Sequence, residues 1–145
     1  MKQGIVLDVS VLGTWWLQEP QGLVYAETIM LAIEAGRLDV AVPPLFFDEA
    51  LNILLKAQAK GRLSKQGYEV QLMLLKDFQR QCRLIPIPIS DALLELKSQI
   101  AQKHSLRSYD VNYLYLAQSE GLVLATLDDR LTRAARLEGC YYEPL

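Results

Sequence analysis

The stretch that decides the fold is Ile5-Val6-Leu7-Asp8-Val9, close to the start of the chain. Its apolar residues are consecutive rather than alternating, which is typical of a strand buried on both faces of a parallel sheet. Asp8 places an ionisable group in this run, and an ionised carboxylate in a buried strand is costly unless a cation or several hydrogen-bond donors compensate it. The same five residues therefore predict a central strand and a candidate functional residue.

Outward from this strand, short apolar runs alternate with longer helical patterns. Strands are predicted at 38–42, 83–87 and 122–126, with a short fifth strand at 140–142, and the prolines of 83–87 indicate an edge strand. Helices are predicted at 23–35, 46–59, 64–81, 90–103, 108–120 and 129–138, where 46–59 and 64–81 form a hairpin and Ser90 and Ser108 act as caps. This order predicts a three-layer α/β/α sandwich around a mostly parallel sheet of four or five strands.

Length and composition indicate one globular domain. The chain has 145 residues, of which 51% are hydrophobic and 22% are charged, so we expect a single domain over 1–145 with a proper core. No stretch approaches the about 18 uninterrupted apolar residues of a membrane span, and the N-terminal residues lack the pattern of a signal peptide. We expect a cytoplasmic protein without membrane contact, in which Cys82 and Cys140 are buried hydrophobes rather than zinc ligands.

Charge is distributed unevenly along the chain. The formal net charge of −2 taken alone argues against nucleic acid as a partner. However, residues 1–49 carry two basic and seven acidic side chains, residues 50–83 seven basic and two acidic, and residues 84–145 six basic and eight acidic. The basic segment at 50–83 is therefore compatible with a polyanionic partner.

Four acidic residues lie where parallel strands end or helices begin. Asp8 ends the first strand, and Asp128 follows the fourth. Asp110 lies in the first turn of the helix that precedes the fourth strand. Glu49 follows the second strand, with Asn52 on the same helical face. Ligands of open parallel sheets bind outside these carboxyl ends. For Asp8, a functional role is the better explanation. Asp110 and Asp128 are explained equally well as helix caps. Glu49, taken alone, is more typical of an acid on a helix surface.

Taken together, the four acids point to a metal. Carboxylates converging on one sheet edge repel one another unless a hard cation neutralises them, and oxygen ligands favour Mg²⁺ or Mn²⁺. His104 is the single histidine, which excludes acid/base chemistry that needs two histidines. Phosphate-binding glycine loops and a nucleophile elbow are also missing from the sequence.

Four motifs in this order resemble the PIN-domain nucleases, specifically the VapC-type toxins of toxin–antitoxin pairs, over essentially the whole chain. The motifs are Asp8-Val9-Ser10; Pro44 followed by Glu49-Ala50-Leu51-Asn52; Ser108-Tyr109-Asp110 with Tyr113-Leu114-Tyr115-Leu116-Ala117; and Ala125-Thr126-Leu127-Asp128-Asp129-Arg130-Leu131. The resemblance implies an endoribonuclease that depends on Mg²⁺ or Mn²⁺, with Asp8, Glu49, Asp110 and Asp128 as its catalytic, metal-binding quartet. Ser10 and Thr126 match the hydroxyl residues of the family's motifs, and with Asn52 they are hypothesised to support the metal site or contact substrate.

The same resemblance implies partners. They are an RNA substrate, a cognate antitoxin protein that blocks the site, and a second copy of the chain in a homodimer. Candidate RNA contacts are Lys56, Lys60 and Arg62 around the predicted hairpin and Arg130 on the last helix. For each of these groups a solvated helix face is an equally good interpretation.

Two other functions stay in view. One is a non-catalytic PIN-like module for RNA binding or assembly, in which the acids serve as caps; the presence of all four acids favours catalysis. The other is a phosphatase of the haloacid-dehalogenase type, which also begins with an aspartate after the first strand. That chemistry needs a second aspartate two residues on, where this chain has Ser10.

Overall fold

The apolar stretch at residues 5–7 lies inside a four-stranded parallel sheet of order β3-β2-β1-β4 in the computed structural model, which describes residues 2–144. Strand β1 pairs with β2 through Ile5 and Val40 and with β4 through Ile5 and Val123. The elements are β1 Gln3–Leu7, α1 Val9–Leu17, α2 Leu23–Glu34, β2 Leu38–Val42, α3 Leu45–Ala59, α4 Lys65–Gln81, β3 Arg83–Leu84, α5 Asp91–His104, α6 Ser108–Glu120, β4 Val123–Ala125 and α7 Asp129–Leu137.

Burial explains why β1 is central. Ile5, Val6 and Leu7 are fully buried, as expected for a strand covered on both faces. Helix α2 packs against β2, and α6 packs against β1 and β4. The predicted α/β/α sandwich with a parallel sheet is therefore confirmed.

Helix α1 is the element that the sequence pattern did not predict. Strand β1 ends at Leu7, and Val9, which was expected in the strand, begins the helix instead. The segment is apolar nearly all round, so it lacks the polar face that makes helical periodicity visible. Its Gly13 allows close packing with α3, because a Cβ there would lie 3.0 Å from Ile53 Cδ1.

Several boundaries are narrower than predicted. Strand β3 covers two residues and lies at the edge of the sheet, as the prolines after it indicated. The fifth strand is reduced to a single parallel bridge between Leu124 and Tyr141. Ser90 caps α5 by accepting a hydrogen bond from Leu93 N, whereas Ser108 is the first residue of α6 and its N-cap is Arg107.

None of the helices in the described part of the chain is long and apolar enough to cross a membrane. Both cysteines are free; Cys140 is buried and Cys82 partly so.

Candidate active site

Asp8 lies at the carboxyl edge of the sheet, directly after β1. Because β1 and β4 are neighbours, the two strand ends meet there, and Asp8 N donates to Ala125 O at 2.9 Å. The side chain is 4% exposed. Its Oδ2 accepts hydrogen bonds from Ser10 Oγ at 2.6 Å and from Thr126 Oγ1 at 2.8 Å. The fold thus holds the carboxylate through one oxygen and leaves Oδ1 to other ligands.

The two hydroxyl groups also join the loops that flank Asp8. Ser10 Oγ accepts from Leu127 N at 3.0 Å, and Thr126 Oγ1 accepts from Asp128 N at 3.1 Å. Each hydroxyl therefore donates its proton to Asp8 and accepts a hydrogen bond from a backbone N–H of the loop after β4. Ser10 and Thr126, the two predicted hydroxyl residues, therefore both contact Asp8 and fix the orientation of its carboxylate.

Electrostatics at Asp8 show that other acids are near. The pKa of the Asp8 carboxyl is raised to about 6, chiefly by burial; the hydrogen bonds from Ser10 and Thr126 oppose the rise, and the charges of Glu49 and Asp110 add to it. A carboxyl whose pKa is raised by burial and by neighbouring acids is typical of functional positions.

Glu49 stands near the start of α3 and is partly buried. Its Oε1 accepts a hydrogen bond from Tyr113 Oη at 2.6 Å. Burial raises the pKa of Glu49, the bond from Tyr113 lowers it, and the charge of Asp110 raises it. The carboxylates of Asp8, Glu49 and Asp110 thus form one electrostatic cluster.

Asp110 and Asp128 line an open cavity of about 410 Å³ together with Arg107, Asp129 and Arg130. Arg107 Nε lies 3.5 Å from Asp110 Oδ2. Burial raises the pKa of Asp110, as does the charge of Asp128, while Arg107 and Arg130 lower it. Asp128 is also the N-cap of α7, because its Oδ1 accepts from Leu131 N at 2.9 Å.

The donor set fits a hard, hydrated cation. Within residues 2–144, no group of three or more His, Cys, Asp or Glu side chains is arranged to hold a metal ion by itself. Mg²⁺ keeps several of its waters and is usually bound through one or two carboxylates. Asp8, Glu49 and Asp110 interact electrostatically, as do Asp110 and Asp128, so a cation here would meet carboxylate oxygens only.

The remaining predicted residues lie at different distances from the acids. Asn52 is exposed one turn after Glu49. Lys60 follows the end of α3 and lies about 16 Å from Glu49 along the helix axis, with Lys56 about one turn closer. Arg62 forms an ion pair with Glu19 at 3.1 Å. Of the predicted basic contacts, only Arg130 lines the acidic cavity within the described chain.

Two further residues belong to the site, Tyr113 and Arg107, to which the sequence pattern assigned no role. Both lie three residues from Asp110 in α6 or at its cap, which places them one turn away on the same side of the helix. That spacing was the available signal, although it does not show that Tyr113 reaches Glu49 from another element.

Comparison with known proteins identifies the family of the chain. The model of the PIN domain matches residues 5–137, and PIN domains are generally nucleases. The solved structure of PAE2754 from Pyrobaculum aerophilum is 25% identical, with a TM-score of 0.65, covering 91% of this chain and 79% of that one. A toxin–antitoxin complex from Klebsiella pneumoniae is 17% identical, with a TM-score of 0.59, covering 97% of this chain and 98% of that one, and shows the shared fold. Among curated protein sequences, none matches. The chain belongs to the PIN domain family.

Proposed function

We propose that this protein is an endoribonuclease that uses Mg²⁺ or Mn²⁺ to hydrolyse phosphodiester bonds in RNA. The observation that carries the proposal is the buried Asp8 carboxyl, whose pKa is raised to about 6 beside Glu49 and Asp110. A divalent cation relieves the cost of such a cluster. Membership of the PIN family supports nuclease chemistry.

Each residue of the quartet has a role in this proposal. Asp8 and Asp110 would hold the cation directly, while Glu49 and Asp128 would bind its water ligands and orient the water that attacks the phosphate. Ser10 and Thr126 hold Asp8 through Oδ2. When bound, the cation lowers the pKa of a coordinated water and stabilises charge on the phosphate and leaving oxygens.

Substrate recognition is assigned to the basic residues. Arg130 and Arg107 flank the acidic cavity, so we propose that they pair phosphates next to the scissile bond. Lys56, Lys60 and Arg62 lie farther along α3 and would bind phosphates away from the cleavage point. Asn52, exposed beside Glu49, is proposed as a contact to the sugar or base.

A protein partner is proposed in addition. The structural likeness to a toxin–antitoxin complex supports a toxin role with a cognate antitoxin that blocks the acidic cavity. Expression of the chain alone should arrest growth, and co-expression with a short open reading frame immediately upstream should restore growth and give a co-purifying complex. Growth arrest by the Asp8→Asn variant as well would contradict the toxin proposal.

A homodimer is proposed for the free protein. Ile89 is fully exposed and Leu94 of α5 is 66% exposed, and together they leave apolar surface beside the sheet edge. Light scattering after gel filtration should give twice the chain mass of 16.4 kDa, and Leu94→Asp should give the monomer.

The decisive test is cleavage of RNA by purified protein with Mg²⁺, Mn²⁺ or a chelator. We expect metal-dependent products with 5′-phosphate ends and a loss of at least about 100-fold in Asp8→Asn. Asp39→Asn, which removes a half-exposed acid paired with Arg83, is the matched control and should cleave normally. Equal cleavage by wild type and Asp8→Asn would show a contaminating nuclease.

The second candidate function is RNA binding without catalysis. Its supporting observation is that Asp128 already serves as the cap of α7. In that case the same protein would bind RNA in a gel-shift assay and leave it intact at every metal concentration.

A further inference from the structure

Tyr113 is a fully buried tyrosine whose hydroxyl group has one defined partner. It is the largest side chain that the fold buries completely, and its Oη donates to Glu49 Oε1 at 2.6 Å. A phenylalanine would supply the same apolar ring, so packing alone does not require the hydroxyl. The oxygen is accounted for by its acceptor, since a buried Tyr O–H needs a partner.

The phenol stands among three carboxylates. Burial raises the pKa of Tyr113 well above its usual range, and the charges of Asp8, Glu49 and Asp110 raise it further. The hydroxyl therefore keeps its proton and acts as a neutral donor. Since Asp110 lies one turn earlier in the same helix, α6 fixes the donor relative to the acids.

The bond determines how Glu49 is presented. A donor at 2.6 Å to Oε1 restricts rotation of the carboxylate and leaves Oε2 as the oxygen available to a cation or its water. Hydrogen bonds of this kind, to a charged acceptor, are among the stronger ones in proteins.

We propose that Tyr113 is a positioning residue that holds Glu49 through Oε1 and presents Oε2 to the divalent metal site. The inference rests on the proposed metal-dependent function and adds a residue to it. Partners that orient metal ligands typically contribute about 10- to 100-fold to metal affinity or activity, so removal of the hydroxyl has a measurable consequence.

The experiment measures Mn²⁺ affinity by calorimetry, which needs no turnover. Tyr113→Phe should bind Mn²⁺ about 10-fold more weakly than wild type. Tyr115→Phe, a half-buried tyrosine of the same helix, is the matched control and should bind like wild type. In a Glu49→Ala background, Tyr113→Phe should cause no further loss, because its effect passes through Glu49.

Two results would overturn the inference: unchanged Mn²⁺ affinity in Tyr113→Phe, or an equal loss in the Glu49→Ala background, which would mean a purely structural effect. Thermal unfolding of the metal-free variants verifies the fold, and Tyr113→Met, which also lacks the hydroxyl, should show the same loss. If wild type binds no Mn²⁺ and cleaves no RNA, the proposed function fails and this inference with it. If wild type does both while Tyr113→Phe is normal, only the role of Tyr113 is wrong.

Discussion

At Asp8 the fold destabilises the charged form of a carboxyl group. Burial raises its pKa to about 6 from 3.8, so between these values the folded protein holds a proton that the unfolded chain has released. The free energy of unfolding therefore falls as the pH rises through this window. We expect the metal-free protein to lose about 3 kcal/mol from this group between pH 3 and pH 7, measured by urea unfolding. A pH dependence of the free energy of unfolding equal to that of Asp8→Asn would contradict the assignment.

Asp8→Asn should remove that dependence. Its amide oxygen can accept the bonds from Ser10 and Thr126 but cannot ionise. We expect the variant to be more stable than wild type at pH 7 by about 3 kcal/mol at most. Saturating Mg²⁺ should raise the unfolding temperature of wild type and leave that of Asp8→Asn unchanged, because only a ligand of the native state stabilises it. Equal Mg²⁺ shifts in both proteins would place the cation elsewhere.

At the scale of the element, Asp128 combines two roles that substitution can separate. Its Oδ1 caps α7 through Leu131 N, and the residue lines the cavity with Asp110. Asp128→Ala loses both roles and should cost about 1 kcal/mol of unfolding free energy. Asp128→Ser keeps a capping oxygen, so its stability should lie within a few tenths of wild type. Both variants should lose about 10-fold or more in RNA cleavage; full activity in Asp128→Ser would make this residue a cap alone.

Elements were predictable where local signals sufficed. Helix α2 was predicted correctly because its apolar periodicity ends at Gly36, whose φ of +73° suits a helix terminus. Strand β2 was predicted correctly because its apolar residues are followed by two prolines. Helix α1 was not recovered, since its apolar residues face the core on several sides. Asp8 is its N-cap, but the carboxylate accepts bonds from Ser10 and Thr126 instead of from the helix backbone.

The candidate site was predictable only as a set of residue types. Strand ends and helix starts placed the acids, because parallel topology brings those positions to one edge. The bond between Tyr113 and Glu49 joins residues 64 positions apart, and no local pattern encodes such a contact. The role of Arg107 was not predicted for a similar reason. It lines a cavity that forms only where the starts of α6 and α7 come together.

Across the whole molecule, the positions of the basic residues relative to the acids matter more for RNA binding than the net charge. Arg130 lines the acidic cavity, whereas Lys60 lies about 16 Å from Glu49 along α3. The negative net charge of the chain therefore does not argue against RNA binding. Several of the acids belong to the candidate site, and Arg130 lies beside them. A bound strand would meet Arg130 at the cleavage point and Lys60 only if it follows α3.

The salt dependence of RNA binding tests this path. With the inactive Asp8→Asn protein, each phosphate contact should contribute about 0.7 to the slope of log affinity against log salt. Arg130→Ala should lower the slope by about that amount for a dinucleotide and for a longer single strand alike. Lys60→Ala should lower it for the longer strand only, because a dinucleotide does not reach the end of α3.

Arg80→Ala serves as the control for that experiment. Arg80 is exposed in the last turn of α4, paired with Asp77 at 2.6 Å, and this turn leads into the amino end of β3. The site lies at the opposite, carboxyl edge of the sheet, so the slope should be unchanged. If Lys60→Ala behaves like Arg80→Ala with every RNA, the strand does not follow α3, and the phosphate contacts are confined to the cavity beside Asp110. If Arg80→Ala lowers the slope as much as Arg130→Ala, binding is non-specific and the proposed path is wrong.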